Sequence, residues 1–127
     1  MIKALAAALA VFISTAACAA DVPKIGQEAL AGRMSAADAG LIVLDVRTPQ
    51  EFAEGHVPGA INIPHEELEA RIGELESARD ADVVVYCRSG RRSGIALGLL
   101  EKAGFSRRFQ LEGDFLAWSA AGRPVQR

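Results

Sequence analysis

The feature that most constrains the fold is a strand pattern followed at once by a helix pattern within residues 83–103. Residues 83–86 are three valines and a tyrosine, which predicts a buried strand. The apolar residues that follow recur at helical spacing, at Ile95, Leu99, Leu100 and Ala103. Residues 87–92 therefore join the carboxyl end of a strand to the amino end of a helix. Open α/β sheets bind their ligands at such junctions.

The rest of the chain repeats this alternation. Further strands are predicted at 41–44, 60–64 and 107–111, and helices at 66–75 and around Phe115 and Trp118. Thr48 and Glu51 match a capping box with Pro49 at the first helical position, which predicts a short helix that ends at Gly55. Two weaker helical patches are predicted at 27–31 and 35–39. Gly94 and Gly98 suggest close packing of the helix after residue 92 on the sheet. The order predicts one small parallel α/β domain.

The first twenty residues have the pattern of a secretory signal peptide. Lys3 precedes an apolar stretch at 4–13 and small residues at 14–20, a length too short to span a membrane. We therefore expect cleavage after Ala19 or Ala20, a mature domain of residues 21–127, and a periplasmic or secreted location. As an alternative, residues 15–18 (Thr-Ala-Ala-Cys) resemble a lipobox, in which Cys18 would carry a lipid anchor.

The mature chain is mildly acidic and contains few cysteines. Loss of residues 1–20 removes one basic residue, Lys3, and changes the net charge at pH 7 from −2 to −3. This balance predicts no basic face for nucleic acid. Cys87 remains alone, or together with a lipid-bearing Cys18, so we expect no internal disulfide. A free thiol in an oxidising compartment favours a functional role for Cys87.

Cys87 has the surroundings of a nucleophile. It lies at the positive amino end of the predicted helix, and both this position and nearby cations favour thiolate over thiol. The nearby cations are Arg88, Arg91 and Arg92. Small Ser89 and Gly90 allow the backbone N–H groups to curl around the sulfur as an anion cradle. The alternative is a structural cysteine beside solvated arginines.

Three further residues are candidates for supporting roles. Asp45 and Arg47 end a predicted strand, on the same rim as Cys87. Arg47 could add positive field, although a pair that ties down the turn is favoured. His56 could be a general base for the thiol, but a local hydrogen-bonding role beside a Pro-Gly turn is favoured.

Three motifs in order resemble the rhodanese family, and most closely its small exported single-domain thiosulfate sulfurtransferases. They are Leu-Asp-Val-Arg at 44–47, Glu-Phe at 51–52 with Gly-His-Val-Pro-Gly-Ala-Ile-Asn-Ile-Pro at 55–64, and Tyr-Cys-Arg-Ser-Gly-Arg-Arg-Ser at 86–93. The resemblance implies a five-stranded, mainly parallel sheet flanked by helices. It also implies that Cys87 accepts the outer sulfur of a thiosulfate-type donor as a persulfide and passes it to cyanide or a thiol.

The resemblance further implies a substrate-binding loop and simple partners. The implied loop residues are Arg88, Ser89, Gly90, Arg91, Arg92 and Ser93. No metal or organic cofactor is implied, and we expect a monomer that uses small sulfur anions, with a protein as a further sulfur acceptor. The family usually has paired glycines where this chain has Glu112 and Gly113, which would put a carboxylate near the rim.

Two other functions stay open. One is a sulfur carrier that receives persulfide from another exported protein. The other is an oxyanion phosphatase or arsenate reductase. The loop disfavours the latter, because those enzymes have five residues between cysteine and arginine whereas four separate Cys87 from Arg92.

Overall fold

Five parallel strands form the centre of the molecule, with the spatial order β1-β5-β4-β2-β3. The computed structural model describes residues 22–127, so the predicted signal peptide and Cys18 lie outside the described residues. The strands are β1 (Lys24–Ile25), β2 (Leu41–Asp45), β3 (Ile61–Asn62), β4 (Asp82–Tyr86) and β5 (Arg108–Leu111). The predicted five-stranded α/β fold is confirmed, and every strand pair is parallel.

Helices cover both faces of this sheet. They are α1 (Gln27–Ser35), α2 (Pro49–Glu54), α3 (His65–Leu68), a 3₁₀ helix (Ile72–Ala78), α4 (Arg91–Lys102) and α5 (Asp114–Ala120). Val83 and Val85 of β4 belong to one core with α3 and α4, whereas Val84 and Tyr86 belong to the other with α1 and α5. Both faces of β4 are therefore buried, which explains its unbroken apolar sequence.

Three local predictions were wrong. Helix α1 continues through Gly32 to Ser35, and the predicted patch at 35–39 is mostly turn. A helical glycine costs only about 1 kcal/mol, and the burial of Leu30 in the core offsets that cost. The predicted helix at 66–75 is divided into α3 and the 3₁₀ helix. Its apolar face is nevertheless present, since Leu68 and Leu75 are both buried.

The glycines of α4 do not serve close packing on the sheet. Gly94 and Gly98 are exposed, and a Cβ added at either would meet nothing within 4 Å. Helix α4 contacts the core instead through Ala96, Leu97 and Leu100. The prediction that these glycines bring the helix close to the sheet was therefore wrong.

The topology brings the carboxyl ends of three strands to one rim. Asp45 pairs with Tyr86 across β2 and β4, so Cys87 follows beside the end of β2. The amino end of α5 docks on the loop after β4, where Phe115 N donates to Cys87 O and Leu116 N donates to Arg88 O. The loop after β4 is thus held by β2 on one side and by the amino end of α5 on the other.

The turn between β5 and α5 supports a specific test of this docking. Gly113 has φ of 76°, and an added Cβ would collide with Cβ of Ala117. Gly113→Ala should therefore lower the free energy of unfolding by about 2 to 4 kcal/mol, from left-handed strain and overpacking together. Urea unfolding measures this change. The control Gly98→Ala, in an open helical position, should instead gain up to about 1 kcal/mol. Unchanged stability of Gly113→Ala would contradict the turn geometry.

Candidate active site

The sulfur of Cys87 lies under the amino end of α4. Cys87 follows β4 directly and is only 1% exposed. The backbone N–H of Gly90 donates to Sγ at a distance of 3.0 Å. Gly90 caps α4 with φ of 118°, a conformation that a side chain strongly disfavours. The loop therefore needs glycine here to aim an N–H group at the sulfur.

Ser93 lies beneath the sulfur. Its side chain is fully buried, and its Oγ is 3.5 Å from Sγ of Cys87. The hydroxyl is also 3.0 Å from Gly90 O and 2.9 Å from Asp114 Oδ1, which are both acceptors. Ser93 is thus part of the hydrogen-bonded support of the loop, whereas Ser89 is exposed on its outside.

Asp114 is the site residue that the sequence pattern did not indicate. Asp114 is 3% exposed, and its Oδ1 accepts from Cys87 N at 3.0 Å. Glu112, where a rim carboxylate was expected, is exposed, and its side chain lies near Gly26. The available signal was position alone, because Asp114 follows the carboxyl end of β5.

The three loop arginines have different environments. Arg92 forms a two-pronged ion pair with Glu51, with N–O distances of 2.6 and 3.0 Å. Hydrogen bonds from Arg92 are the main reason that the pKa of Glu51 falls to about 2. Arg88 and Arg91 are exposed and form no ion pair within residues 22–127. These two side chains are the cations free to meet an anion.

Asp45 and Arg47 form a buried pair behind the loop. The guanidinium donates to Asp45 Oδ2 at 2.6 Å and to Gly55 O at 2.7 Å. It also lies over the ring of Phe115, 4.3 Å from the centroid. Burial acts to lower the pKa of Arg47, but hydrogen bonds and charge from Asp45 outweigh burial and raise it. The pair joins β2, α2 and α5 at the rim.

His56 has local partners. Its Nδ1 lies 2.8 Å from Phe52 O, and its ring stacks on Phe52 with a centroid separation of 3.6 Å. Its backbone pairs with Gln126. No hydrogen bond in the described part of the chain joins His56 to Cys87, so this geometry does not bring the candidate base to the thiol.

A cleft of about 350 Å³ opens beside the loop. Its lining includes Arg47, Glu51, Arg88, Phe115, Leu116 and Val125, whereas Cys87 itself does not line it. Arg88 links this cleft to the cysteine loop. Within residues 22–127, no group of three or more His, Cys, Asp or Glu side chains could hold a metal ion. None of the described helices has the length and apolar character needed to cross a membrane.

Fold and site together define a parallel α/β protein in which Cys87, the one cysteine of residues 22–127, accepts a backbone N–H at the amino end of a helix. The model of the rhodanese-like domain matches residues 27–121. The chain therefore belongs to the rhodanese-like family, as its motifs predicted.

Three similar proteins have names that refer to sulfur transfer or sulfur carriage. The chain is 38% identical over 104 residues to a sulfurtransferase of Allochromatium vinosum, covering 82% of this chain and 94% of that protein. It is 41% identical over 63 residues to the thiosulfate sulfurtransferase PspE of Escherichia coli, covering 50% of this chain and 61% of PspE. It is 36% identical over 89 residues to a putative sulfur carrier protein, YrkF of Bacillus subtilis, covering 70% of this chain and 46% of YrkF.

A solved structure agrees with this assignment. A rhodanese-related protein from Thermoplasma volcanium superimposes with a TM-score of 0.71 at 33% identity, covering 82% of this chain and 97% of that one. The relatives support sulfur transfer as the general chemistry of the family.

The pair between Glu51 and Arg92 predicts a pH-dependent stability. Because the folded pKa of Glu51 is about 2, below its ordinary 4.5, the pair stabilises the fold above pH 4.5 and loses that contribution as the pH falls towards 2. Glu51→Gln should cost about 1 to 2 kcal/mol at neutral pH, allowing for solvent screening.

Urea unfolding of wild type and Glu51→Gln at several pH values measures this effect. The difference in stability between the two proteins should narrow in acid. Glu54→Gln, which removes an exposed carboxylate of the same helix, should change little at any pH. If the stability difference between wild type and Glu51→Gln stays constant from neutral pH to pH 2, the ionised pair with Arg92 is not its origin.

Proposed function

We propose that this protein is a thiosulfate sulfurtransferase that moves a sulfane sulfur through a persulfide on Cys87. The observation that carries this proposal is the 3.0 Å contact from Gly90 N–H to Sγ at the amino end of α4. A donor pointed at sulfur stabilises negative charge there, and the thiolate is the attacking form of a cysteine. The relative PspE, named a thiosulfate sulfurtransferase, supports this choice of donor.

The first half of the reaction consumes the donor. Thiolate Sγ of Cys87 attacks the outer sulfur of thiosulfate, the sulfur–sulfur bond of the donor breaks, and its electron pair leaves with sulfite. The products are sulfite and a Cys87 persulfide anion. Arg88 and Arg91 are exposed cations of the same loop and attract the anionic donor. Loop N–H groups stabilise the persulfide charge in the way that an oxyanion hole stabilises oxygen.

The second half regenerates the thiolate. Cyanide or a thiolate attacks the terminal sulfur of the persulfide. The sulfur–sulfur bond of the persulfide breaks, and its electron pair returns to Sγ. The products are thiocyanate or an acceptor persulfide. No net proton or electron is gained or lost by the protein with cyanide as acceptor. The burial of Sγ favours small reactants, since only 1% of Cys87 is exposed.

Mass spectrometry tests the persulfide directly. Purified protein incubated with thiosulfate should gain one sulfur atom on Cys87, and addition of cyanide should release thiocyanate and remove that sulfur. Cys87→Ser should abolish both effects, because a hydroxyl cannot form the persulfide. Wild-type protein that neither gains sulfur nor makes thiocyanate would refute the proposal.

A sulfur carrier is the second candidate function. Leu116 is 45% exposed and Val125 is 36% exposed, and both line the cleft beside Arg88. Exposed apolar side chains around a polar site suit a protein partner, and YrkF is named a putative sulfur carrier. This candidate requires slow turnover of thiosulfate with rapid sulfur transfer from a protein persulfide. Equal or faster turnover with free thiosulfate would remove the need for it.

We also propose that the protein is exported. The basis is the pattern of residues 1–20, in which Lys3 precedes an apolar stretch and a run of small residues. The intact mass of protein recovered from a periplasmic extract should correspond to a chain that begins after Ala19 or Ala20. A lipid-modified mass beginning at Cys18 in the membrane fraction would support the lipobox alternative, and a chain that retains Met1 and occurs only in the cytoplasmic fraction would refute export.

A further inference from the structure

Asp114 is a buried carboxylate placed beside the reactive sulfur. It is 3% exposed, and no cation forms an ion pair with it in residues 22–127. Its backbone has φ of 52°, a left-handed conformation that is uncommon for residues other than glycine. Burial of an unpaired charge is costly, as is left-handed backbone. The proposed reaction does not use this group.

The contacts of Asp114 fit a negatively charged side chain. Oδ1 accepts from Cys87 N at 3.0 Å and lies 2.9 Å from the Ser93 hydroxyl, while Oδ2 accepts from Gln110 Nε2 at 3.3 Å. All three partners can donate, which suits an ionised carboxylate because that group only accepts. The same Ser93 hydroxyl is 3.5 Å from Sγ. One hydroxyl therefore separates the carboxylate from the sulfur.

The other charges around the sulfur are already paired or lie in solvent. Glu51 neutralises Arg92, and Asp45 neutralises Arg47. The remaining groups are exposed, namely Arg88, Arg91 and Glu112. Water screens exposed charges strongly, whereas a buried charge acts through a lower dielectric. Within residues 22–127, Asp114 is therefore the buried side-chain charge beside the sulfur that has no ion-pair partner, and it opposes the positive end of α4.

We propose that Asp114 determines which donors Cys87 accepts, by placing a fixed negative charge next to the sulfur that disfavours dianionic donors relative to donors with less charge. The donor part rests on the proposed sulfurtransferase function, whereas the effect on the thiol does not. Asp114 acts here as a specificity residue through space and forms no bond with the donor. Its other role is to hold Cys87 N and Ser93 in place.

Asp114→Asn separates charge from shape. Asparagine tolerates left-handed backbone, and its amide oxygen can keep the contacts to Cys87 N and Ser93. Gln110 can rotate its amide to present oxygen to the new NH₂ group. The matched control is Glu112→Gln, which removes the same charge two residues earlier from an exposed position. Asp114→Gly, which suits positive φ, serves as a second variant if the asparagine protein does not fold.

Alkylation tests the charge effect without any sulfur donor. Rates of Cys87 modification by neutral iodoacetamide and by anionic iodoacetate are measured against pH. In Asp114→Asn the iodoacetate to iodoacetamide rate ratio should rise about tenfold, and the pH midpoint for iodoacetamide should fall. Glu112→Gln should leave both values unchanged. An unchanged ratio in both Asp114 variants, or a midpoint that moves upward, would overturn the proposal.

Two donors that differ by one charge test donor selection. Thiosulfate is a dianion and methanethiosulfonate is a monoanion, and both offer a sulfane sulfur. In Asp114→Asn the kcat/KM for thiosulfate relative to methanethiosulfonate should rise about tenfold, and an equal change for both donors would overturn donor selection. If wild type turns over neither donor, the proposed function fails, while the alkylation ratio still decides whether Asp114 imposes charge selection.

Discussion

The structure of the site depends on one hydrogen bond, from Gly90 N–H to the sulfur of Cys87. That contact requires the left-handed conformation of Gly90 and the start of α4 immediately afterwards. It also requires a rigid loop, because an N–H group stabilises charge only if it is held in position before the charge forms. The carbonyls of Cys87 and Arg88 accept from the amino end of α5, so the last helix of the fold supplies part of that rigidity.

Most charges near the loop stabilise the scaffold. Two of the four nearby arginines, Arg47 and Arg92, are held by carboxylates from β2 and α2. Positive charge in the sequence around a cysteine therefore overstates the field at the sulfur. The capping box has the same scaffold role, because Glu51 bonds both the amino end of α2 at Thr48 and the guanidinium of Arg92. A helix cap thus fixes the position of a loop residue forty-one positions away.

The sequence allowed prediction of those parts of the fold and site that local chemistry determines. The apolar runs at β2 and β4 are visible because both faces of these strands are buried, while the two-residue strand β1 has no pattern of its own and exists by pairing with β5. Cys87 and Gly90 were predictable because strand, loop and helix are contiguous. Asp114 was not, because its partners Cys87 and Ser93 are distant in sequence and its turn has the composition of an ordinary loop.

Anchoring and charge are coupled in Asp114. The carboxylate holds Cys87 N and Ser93 together, and so helps to keep Sγ under Gly90 N–H. The same negative charge, however, repels the negative charge of the thiolate and of an anionic donor. The repulsion affects two stages of the reaction. It disfavours the binding of a dianionic donor, and it favours the release of an anionic leaving group. Because the persulfide anion keeps the single negative charge of the thiolate, the leaving group carries the same charge as the donor, and a monoanionic donor meets less repulsion on arrival than a dianionic one. In this proposal the exposed arginines attract anions in general, whereas the balance between the Gly90 N–H and the buried carboxylate of Asp114 determines the preference among them.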